Sequence, residues 1–244
     1  MPTVDLFIPC FIDQLFPQTG LNTVKVLEKA GCKVRYNPAQ TCCGQPGYNA
    51  GYVDECRAVA TKFLDDFGSA DESAYIVGPT ASCVGMVRNS YDELFAQTPN
   101  LVRYRAVQRR VFELTEFLVD VLHVNRIPGA RLDGAYTYHD SCSALRECGI
   151  RDAPRRLLDS VAGLRRVEMA DTETCCGFGG SFAVKFESIS VAMAEQKVEN
   201  ALETGADFLI STDTSCLMHL DAYIREHEKP IRALHVADVL ASGW

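Results

Sequence analysis

Apolar positions along the chain fall into two kinds of pattern, which repeat one after the other. Residues 3–8 form a short, mostly apolar run, which is typical of a buried strand. Residues 51–67 instead place apolar side chains three and four positions apart, which predicts an amphipathic helix that ends at Gly68. This alternation continues to the C-terminus and predicts strands connected by helices.

The complete pattern predicts two similar series of elements. The first has strands at residues 3–8, 32–36 and 74–78 and helices at 17–31 and 51–67. The second has strands at 135–138, 164–169 and 207–211 and helices at 151–161, 187–204 and about 234–240. The 187–204 helix is expected to bury one face, formed by Val191, Ala194, Val198, Ala201 and Leu202.

Residues 101–131 separate the two series. Their apolar side chains predict one helical stripe, made of Val107, Val111, Leu114, Leu118, Val121 and Leu122. Pro128 and Gly129 then interrupt the pattern, so we expect a first half at residues 1–128, including the linker helix, and a second half at residues 129–244. Strands alternating with helices predict an α/β fold, with two pseudo-symmetric halves in which helices pack on parallel sheets.

The cysteines repeat in the same register as the predicted elements. Cys42-Cys43-Gly44 and Cys175-Cys176-Gly177 lie 133 positions apart, and Cys83 and Cys216 have the same separation. Cys10 and Cys142 are 132 positions apart. Eight of the eleven cysteines therefore belong to a duplicated pattern of four.

Each of these cysteines follows a predicted strand, and this placement predicts where they meet. In parallel sheets, ligands bind beyond the carboxyl ends of the strands. Three strands of each half deliver cysteines to that edge, so four thiols that are distant in sequence are expected to converge. Such thiols hold iron–sulfur clusters or structural zinc. We expect helix N-termini just after Cys43, Cys83, Cys176 and Cys216, and glycine N–H groups close to the site.

Composition narrows the classes of function. The chain has 47% hydrophobic residues, a net charge of −8 and no basic cluster, which argues against binding nucleic acid or an anionic membrane. No apolar run has the length of a membrane span, and the first residues do not resemble a signal peptide. We therefore expect a cytoplasmic protein, in which many cysteines indicate metal or redox sites rather than disulfides.

Other interpretations apply to single residues. The eight repeated cysteines could instead be core residues, but chance burial would not repeat the same spacing in both halves. A disulfide within each adjacent pair is the other alternative, and the reducing cytosol argues against it. Cys32 and Cys56 are expected in the core, and Cys148 either there or near the second site. His219 follows Cys216 by three positions, a spacing that suits a metal ligand. His139 is a proton-transfer group, an outer hydrogen-bond donor or a structural residue, and His235 is expected to be structural. No residue is assigned a catalytic role.

With these motifs, the chain resembles the CCG (cysteine-rich) domain family, in which the pattern C-x(31–39)-CCG-x(35–39)-C-x-x-C usually occurs twice. The stretches Phe-Ile-Pro-Cys, Thr-Cys-Cys-Gly-Gln-Pro-Gly and Ser-Cys-Leu-Met-His look most like the lactate-utilization branch of that family. The cysteine-rich component of heterodisulfide reductase is a more distant member.

The resemblance implies a subunit of an NAD-independent iron–sulfur complex, an oxidoreductase that converts L-lactate to pyruvate. Its implied partners are a ferredoxin-containing subunit and a third small subunit. The implied cofactor is one 4Fe–4S cluster per half, with zinc as an alternative in one half. By this resemblance the ligands are Cys10, Cys42, Cys43 and Cys83 in the first half and Cys142, Cys175, Cys176 and Cys216 in the second.

The chain departs from the family pattern in the final C-x-x-C. Met86 and His219 stand where the family has a fifth cysteine, which puts the non-cubane cluster of heterodisulfide reductase in doubt. A thiol–disulfide redox subunit of that kind and a zinc-stabilised scaffold are the alternative functions.

Overall fold

A computed structural model describes residues 1–68 and 73–244, and it shows two four-stranded, all-parallel sheets with helices packed on them. The first sheet has the order β2-β1-β3-β4 and the second the order β6-β5-β7-β8. The strands are β1 (Thr3–Leu6), β2 (Lys33–Tyr36), β3 (Tyr75–Gly78), β4 (Val111–Glu113), β5 (Arg131–Tyr138), β6 (Ala162–Arg166), β7 (Phe208–Ser211) and β8 (Arg232–His235). The predicted α/β fold with two similar halves is confirmed.

Helices connect successive strands in both halves, and the connection from β3 to β4 is longer than the one from β7 to β8. In the first half they are α1 (Cys10–Leu15), α2 (Pro17–Lys29), α3 (Gln45–Asn49), α4 (Val53–Phe67), α5 (Ala81–Gly85), α6 (Tyr91–Phe95), α7 (Leu101–Gln108) and α8 (Leu114–Glu116). In the second half they are α9 (Asp152–Asp159), α10 (Ser181–Lys185), α11 (Glu187–Leu202), α12 (Thr214–Glu226) and α13 (Val236–Leu240). Three π-helical segments complete the described elements: Met86–Ser90, Phe117–Val121 and Ser143–Glu147.

Helix α4 illustrates how the sequence pattern produces the core. Its buried side chains recur at helical spacing and form one apolar face, made of Cys56, Ala60, Phe63, Leu64 and Phe67. Phe7, just after β1, packs edge-on against Phe63, with ring centroids 5.0 Å apart. This aromatic contact joins the helix to the sheet at the carboxyl end of β1.

The two halves are joined by a shared core and by polar contacts. The larger apolar core includes buried residues of both halves, such as Phe117 and Tyr136. Where α13 meets α2, Asp238 accepts hydrogen bonds from Thr19 and Asn22 at 2.8 and 2.9 Å. The C-terminal helix is thereby held against the first half, while a division of the chain at Pro128 stays a prediction.

Two predictions of local structure are wrong. Residues 101–131 do not form one helix, because α7 ends at Gln108 and β4 then pairs with β3 in parallel. The predicted last helix begins only at Val236, since the residues before it form β8, which pairs with β7. Both strands are short and each precedes a helix directly, so their apolar residues merge with the helical pattern. Within the described residues, no helix combines the length and apolar character that crossing a membrane requires.

Candidate metal centres

The four repeated cysteines of the first half lie in one cluster. Cys10 begins α1 just beyond β1, Cys42 and Cys43 lie in the loop between β2 and α3, and Cys83 lies in α5 just beyond β3. The Sγ atoms of Cys10 and Cys42 are 3.6 Å apart. The Cys43 thiol interacts with the thiols of both Cys42 and Cys83. The contacts thus run continuously from Cys10 to Cys83.

The second half repeats this arrangement with its own cysteines. The Cys142 thiol hydrogen-bonds with Cys175, Cys175 with Cys176, and Cys176 with Cys216. Cys176 and Cys216 are buried, whereas Cys142 and Cys175 are partly exposed, and the matching cysteines of the first half divide in the same way. Each cluster therefore has an enclosed inner side and an outer side within reach of solvent.

One cysteine of each cluster has strong thiolate character. Hydrogen bonds from Cys10 and Cys43 lower the pKa of Cys42 to about 3, and the Gly44 N–H also donates to its Sγ at 3.3 Å. Hydrogen bonds from Cys142 and Cys176 lower the pKa of Cys175 to about 2 in the same way, and the Gly177 N–H lies 3.4 Å from its Sγ. Thiolate is the form of cysteine that binds metals.

The glycine after each cysteine pair has a conformation that a side chain would disturb. Gly44 has φ +84° and Gly177 has φ +93°, both in the left-handed region that favours glycine. A Cβ atom on Gly177 would lie 2.5 Å from the carbonyl oxygen of Ser190. Each glycine thus lets the chain turn so that its N–H reaches the thiol two residues earlier. In the second half it also leaves room for α11 to pack against the turn.

The expected helix N-termini are only partly present. Helix α3 begins two residues after Cys43, but α10 begins five residues after Cys176. Cys83 and Cys216 lie inside α5 and α12, which begin two residues before each of them, at Ala81 and Thr214. Thr80 and Asp213 occupy the N-cap positions of these two helices, and the Asp213 side chain accepts a hydrogen bond from the Ser215 N–H.

The N-termini of α5 and α12 meet at the interface between the halves. The hydroxyls of Thr80 and Thr214 lie 3.3 Å apart, and the backbone N–H of Ser82 donates to Asp213 at 2.9 Å. The halves also meet through two aromatic rings. Phe11, directly after Cys10, and Phe178, two residues after Cys176, have ring centroids 6.0 Å apart. The two cysteine clusters therefore lie on either side of this interface.

The remaining cysteines serve packing. Cys32 and Cys56 are buried as predicted, and the Cys56 Sγ contacts the Gly44 carbonyl at 3.4 Å. Cys148 is buried at the interface between the halves, where its Sγ lies 3.5 Å from the carbonyl of Ala81. His235 is structural as expected, because its Nε2 contacts the carbonyl of Pro79 at 2.8 Å and its Nδ1 caps α13.

His219 and His139 occupy different surroundings. The Nε2 of His219 lies 3.1 Å from the hydroxyl of Ser190 and 3.2 Å from its carbonyl, and a role as a ligand stays a prediction. One ring nitrogen of His139 and the Sγ atoms of Cys176 and Cys216 lie within 4.8 Å of one another. Burial, then the charge of Lys197, lowers the pKa of His139 to about 4, so its imidazole is neutral at pH 7.

Lys197 was missed in the sequence, although it adjoins the second cluster. It is buried on the inner face of α11, with Ser190, Ala194, Val198 and Ala201, whereas Val191, predicted for that face, is exposed. The signal was its spacing, since Lys197 lies three positions after Ala194 and four before Ala201. A lysine at a core position of an apolar face indicates a buried cation.

The donor atoms fit a metal ion or an inorganic cluster in each half. Four thiol groups converge in each cluster, and one of the four is held as a thiolate. Soft sulfur donors in this number suit iron–sulfur clusters and zinc. In the second half, an imidazole nitrogen lies within the same group of donors.

Comparison with known proteins agrees with the repeat. The sequence profile of a family described as "Cysteine-rich domain" (CCG) matches residues 4–88 and 136–221. Lactate utilization protein A of Exiguobacterium sp. is 45% identical over 244 residues, which covers 100% of this chain and 98% of that protein. Lactate utilization protein A of Geobacillus kaustophilus is 43% identical over 97% of this chain.

Among solved structures, a hypothetical protein from Helicobacter pylori has a similar fold, with a TM-score of 0.58 and 13% sequence identity. The alignment covers 99% of this chain and 48% of that one, so about half of the larger protein corresponds to both halves of this chain. At this identity the likeness concerns the fold alone.

Proposed function

Because the chain belongs to the cysteine-rich CCG domain family and to its lactate utilization protein A group, we propose that it is an iron–sulfur subunit of a lactate-oxidising complex. In this proposal the complex oxidises L-lactate to pyruvate without NAD, and this subunit carries electrons. Its partners are a ferredoxin-containing subunit and a third small subunit, and it acts in the cytoplasm. The names of the relatives support the role in lactate utilization.

The observation that carries the proposal is the convergence of four thiols in each half. Cys10, Cys42, Cys43 and Cys83 would hold the first centre, and Cys142, Cys175, Cys176 and Cys216 the second. When bound, an iron–sulfur cluster accepts and releases single electrons at a potential that its surroundings set. The protein supplies the thiolates, N–H groups next to the sulfur atoms and an enclosed inner wall.

A 4Fe–4S cluster in each half agrees with the number of cysteines. Met86, which stands where the family has a fifth cysteine, is 1% exposed and belongs to the apolar core. With four cysteines available per half, a cluster held by four thiolates is the simplest arrangement. This also disfavours the chemistry of a thiol–disulfide redox subunit, which the fifth cysteine would accompany.

Zinc in the second half is the alternative that a specific observation favours. His139, Cys176 and Cys216 bring nitrogen and sulfur donors together, and mixed sets of this kind are typical of structural zinc. In that case the second half is a scaffold, and only the first half carries electrons.

An exposed apolar surface beside the second cluster supports assembly with other subunits. Val184 is 84% exposed, and Phe186 and Ile189 are each more than half exposed. After the Gly177–Gly180 loop, Val184 lies on α10, Phe186 between α10 and α11, and Ile189 in the first turn of α11. Several exposed apolar side chains in one short segment are typical of a protein contact surface.

The proposal is tested by lactate-dependent reduction. The complete complex is purified without oxygen, and its visible spectrum is followed after adding L-lactate, with D-lactate as the control. We expect the absorbance of the oxidised clusters to decrease with L-lactate only. A complex in which this chain contains iron and sulfide but L-lactate produces no change in absorbance and no pyruvate would contradict the function.

A further inference from the structure

His139 is a buried polar side chain that lacks hydrogen bonds of normal geometry. It is 0% exposed, and neither ring nitrogen has a partner with normal hydrogen-bond geometry among the described residues; the Thr172 backbone is the one group that interacts with the ring as a hydrogen-bond partner. Burying a polar group without a hydrogen bond is unfavourable, so proteins rarely retain one without a role. One of these nitrogens lies within 4.8 Å of the Sγ atoms of Cys176 and Cys216. The unpaired nitrogen and the buried thiols thus share one enclosed space.

The first half has no polar group at this position. Phe7 and His139 are equivalent, because the Phe7 N–H donates to Val77 O at 2.9 Å and the His139 N–H donates to Ile210 O at 2.8 Å. Each of these bonds joins the end of the first strand of its half to the third strand, β3 or β7. A phenylalanine next to the first cluster therefore corresponds to a histidine next to the second.

The helix that packs beside each cluster, α4 or α11, also has an aromatic residue in the first half and a polar one in the second. Cys56 of α4 and Ser190 of α11 each contact the carbonyl of the glycine that follows the paired cysteines, which aligns the two helices. Seven residues further along, α4 has Phe63 and α11 has Lys197. The Phe7–Phe63 ring contact of the first half is thus replaced by the polar residues His139 and Lys197 in the second.

Lys197 has hydrogen bonds that account for its burial. Its ammonium group donates to the carbonyl of Asp171 and, at 3.3 Å, to that of Thr172, just before the paired cysteines. Lys197 is 1% exposed, so its positive charge remains inside the protein near the second cluster. His139, in contrast, keeps a ring nitrogen available beside the Cys176 and Cys216 thiols.

We propose that His139 donates a ring nitrogen to the metal centre of the second half, so that the two centres have different ligands. This rests on the proposed function, in which each cysteine cluster holds a metal centre. The first centre is then held by four thiolates, whereas in the second His139 takes the place of one of the four thiolate ligands. Imidazole in place of thiolate raises the reduction potential of an iron–sulfur centre, and the nearby ammonium of Lys197 acts in the same direction. The second centre is therefore the better electron acceptor of the two.

Pulsed EPR of the reduced, anaerobically purified full chain tests this ligand. The wild-type protein is expected to show the hyperfine coupling of a directly bound ¹⁴N nucleus. The coupling should disappear in His139→Phe, which introduces the residue of the first half, and persist in His219→Ala, which removes the other histidine of this region. Labelling the wild type with ¹⁵N-histidine should change the coupling to that of ¹⁵N, which tests histidine ligation even if His139→Phe does not fold.

The outcomes separate the inference from the proposed function. Iron and sulfide without a strongly coupled nitrogen, or a coupling lost only in His219→Ala, would overturn the role of His139 and leave the function intact. A protein that binds no metal would overturn both. If the second site holds zinc, X-ray absorption at the zinc edge is expected to show nitrogen at about 2.0 Å beside sulfur at about 2.3 Å. A shell of sulfur alone would overturn the inference.

Discussion

The ion pair between Arg155 and Asp140 is expected to be the most sensitive electrostatic contact near the second cluster. Both guanidinium nitrogens, Nη1 and Nη2, lie 2.8 Å from a carboxylate oxygen of Asp140, whose side chain is only 1% exposed. Nε of Arg155 also donates to Glu168 at 2.7 Å. Asp140 lies between His139 and Cys142, so this pair holds the segment that carries both.

Replacing Arg155 by methionine leaves the Asp140 carboxylate buried without its counter-charge. Removing one partner of a buried ion pair costs about 3–5 kcal/mol, whereas an exposed pair contributes about 0–1 kcal/mol. Arg151→Ala is the matched control, because Arg151 pairs with Glu173 at 2.8 Å with side-chain exposures of 58% and 47%. The double variant Asp140→Asn/Arg155→Met should recover part of the loss, since the buried charge is then absent.

The assay is urea unfolding of the reduced protein, followed by circular dichroism under anaerobic conditions at matched metal content. Burial tends to raise the pKa of Asp140, but the hydrogen bonds and charge of Arg155 outweigh it and lower the pKa below 3.8. The contribution of the pair is therefore present above pH 3.8 and is lost as the pH falls through the lowered pKa. The difference between wild type and Arg155→Met should shrink in acid. A loss at pH 7 no larger than that of Arg151→Ala would refute this reasoning.

Three further predictions concern the core and the cysteine loops. Burial raises the pKa of Glu113 to about 7, so its contribution to stability is complete below pH 4.5 and is lost as the pH rises through 7. Glu113→Gln should remove this dependence, on the order of 3 kcal/mol at 1.36 kcal/mol per pKa unit, and urea midpoints at pH 5 and 8 measure it. Gly177→Ala should lower the thermal midpoint more than Gly44→Ala, because the left-handed backbone costs each about 1–2 kcal/mol but the new Cβ of Gly177 also meets a carbonyl at 2.5 Å; equal midpoints would contradict this. Cys176→Ser should remove the metal of the second half and leave that of the first, and elemental analysis showing both lost would contradict two separate centres.

The fold could be predicted largely because its repeat is visible at two levels. Strand and helix patterns indicate α/β halves, and cysteines in constant register indicate that the halves share one plan. β4 could not be found, because Val111–Glu113 is a three-residue strand whose partner β3 is distant in sequence. Pairing with a neighbouring strand, rather than local periodicity, determines such an element.

The sites could be predicted as groups of residues, and Met86 against His219 already indicates that the two are not equivalent, but the contrasts on their inner sides could not be predicted. Cysteine spacing assigns the same four thiols to each half. The contrast between Phe7 and His139, and between Phe63 and Lys197, becomes apparent only when hydrogen bonds establish which positions are equivalent. A single histidine after a strand is compatible with many roles, and only its burial without a hydrogen bond of normal geometry distinguishes it.

The central claim, a metal centre in each half that carries electrons, is tested most directly by elemental analysis. The full chain is purified without oxygen, its iron, sulfide and zinc are measured, and its visible spectrum is recorded. The account predicts a brown protein with iron and sulfide in equal amounts, about four of each per cluster. A colourless protein with zinc alone, or with no metal, would contradict the claim that this chain carries electrons.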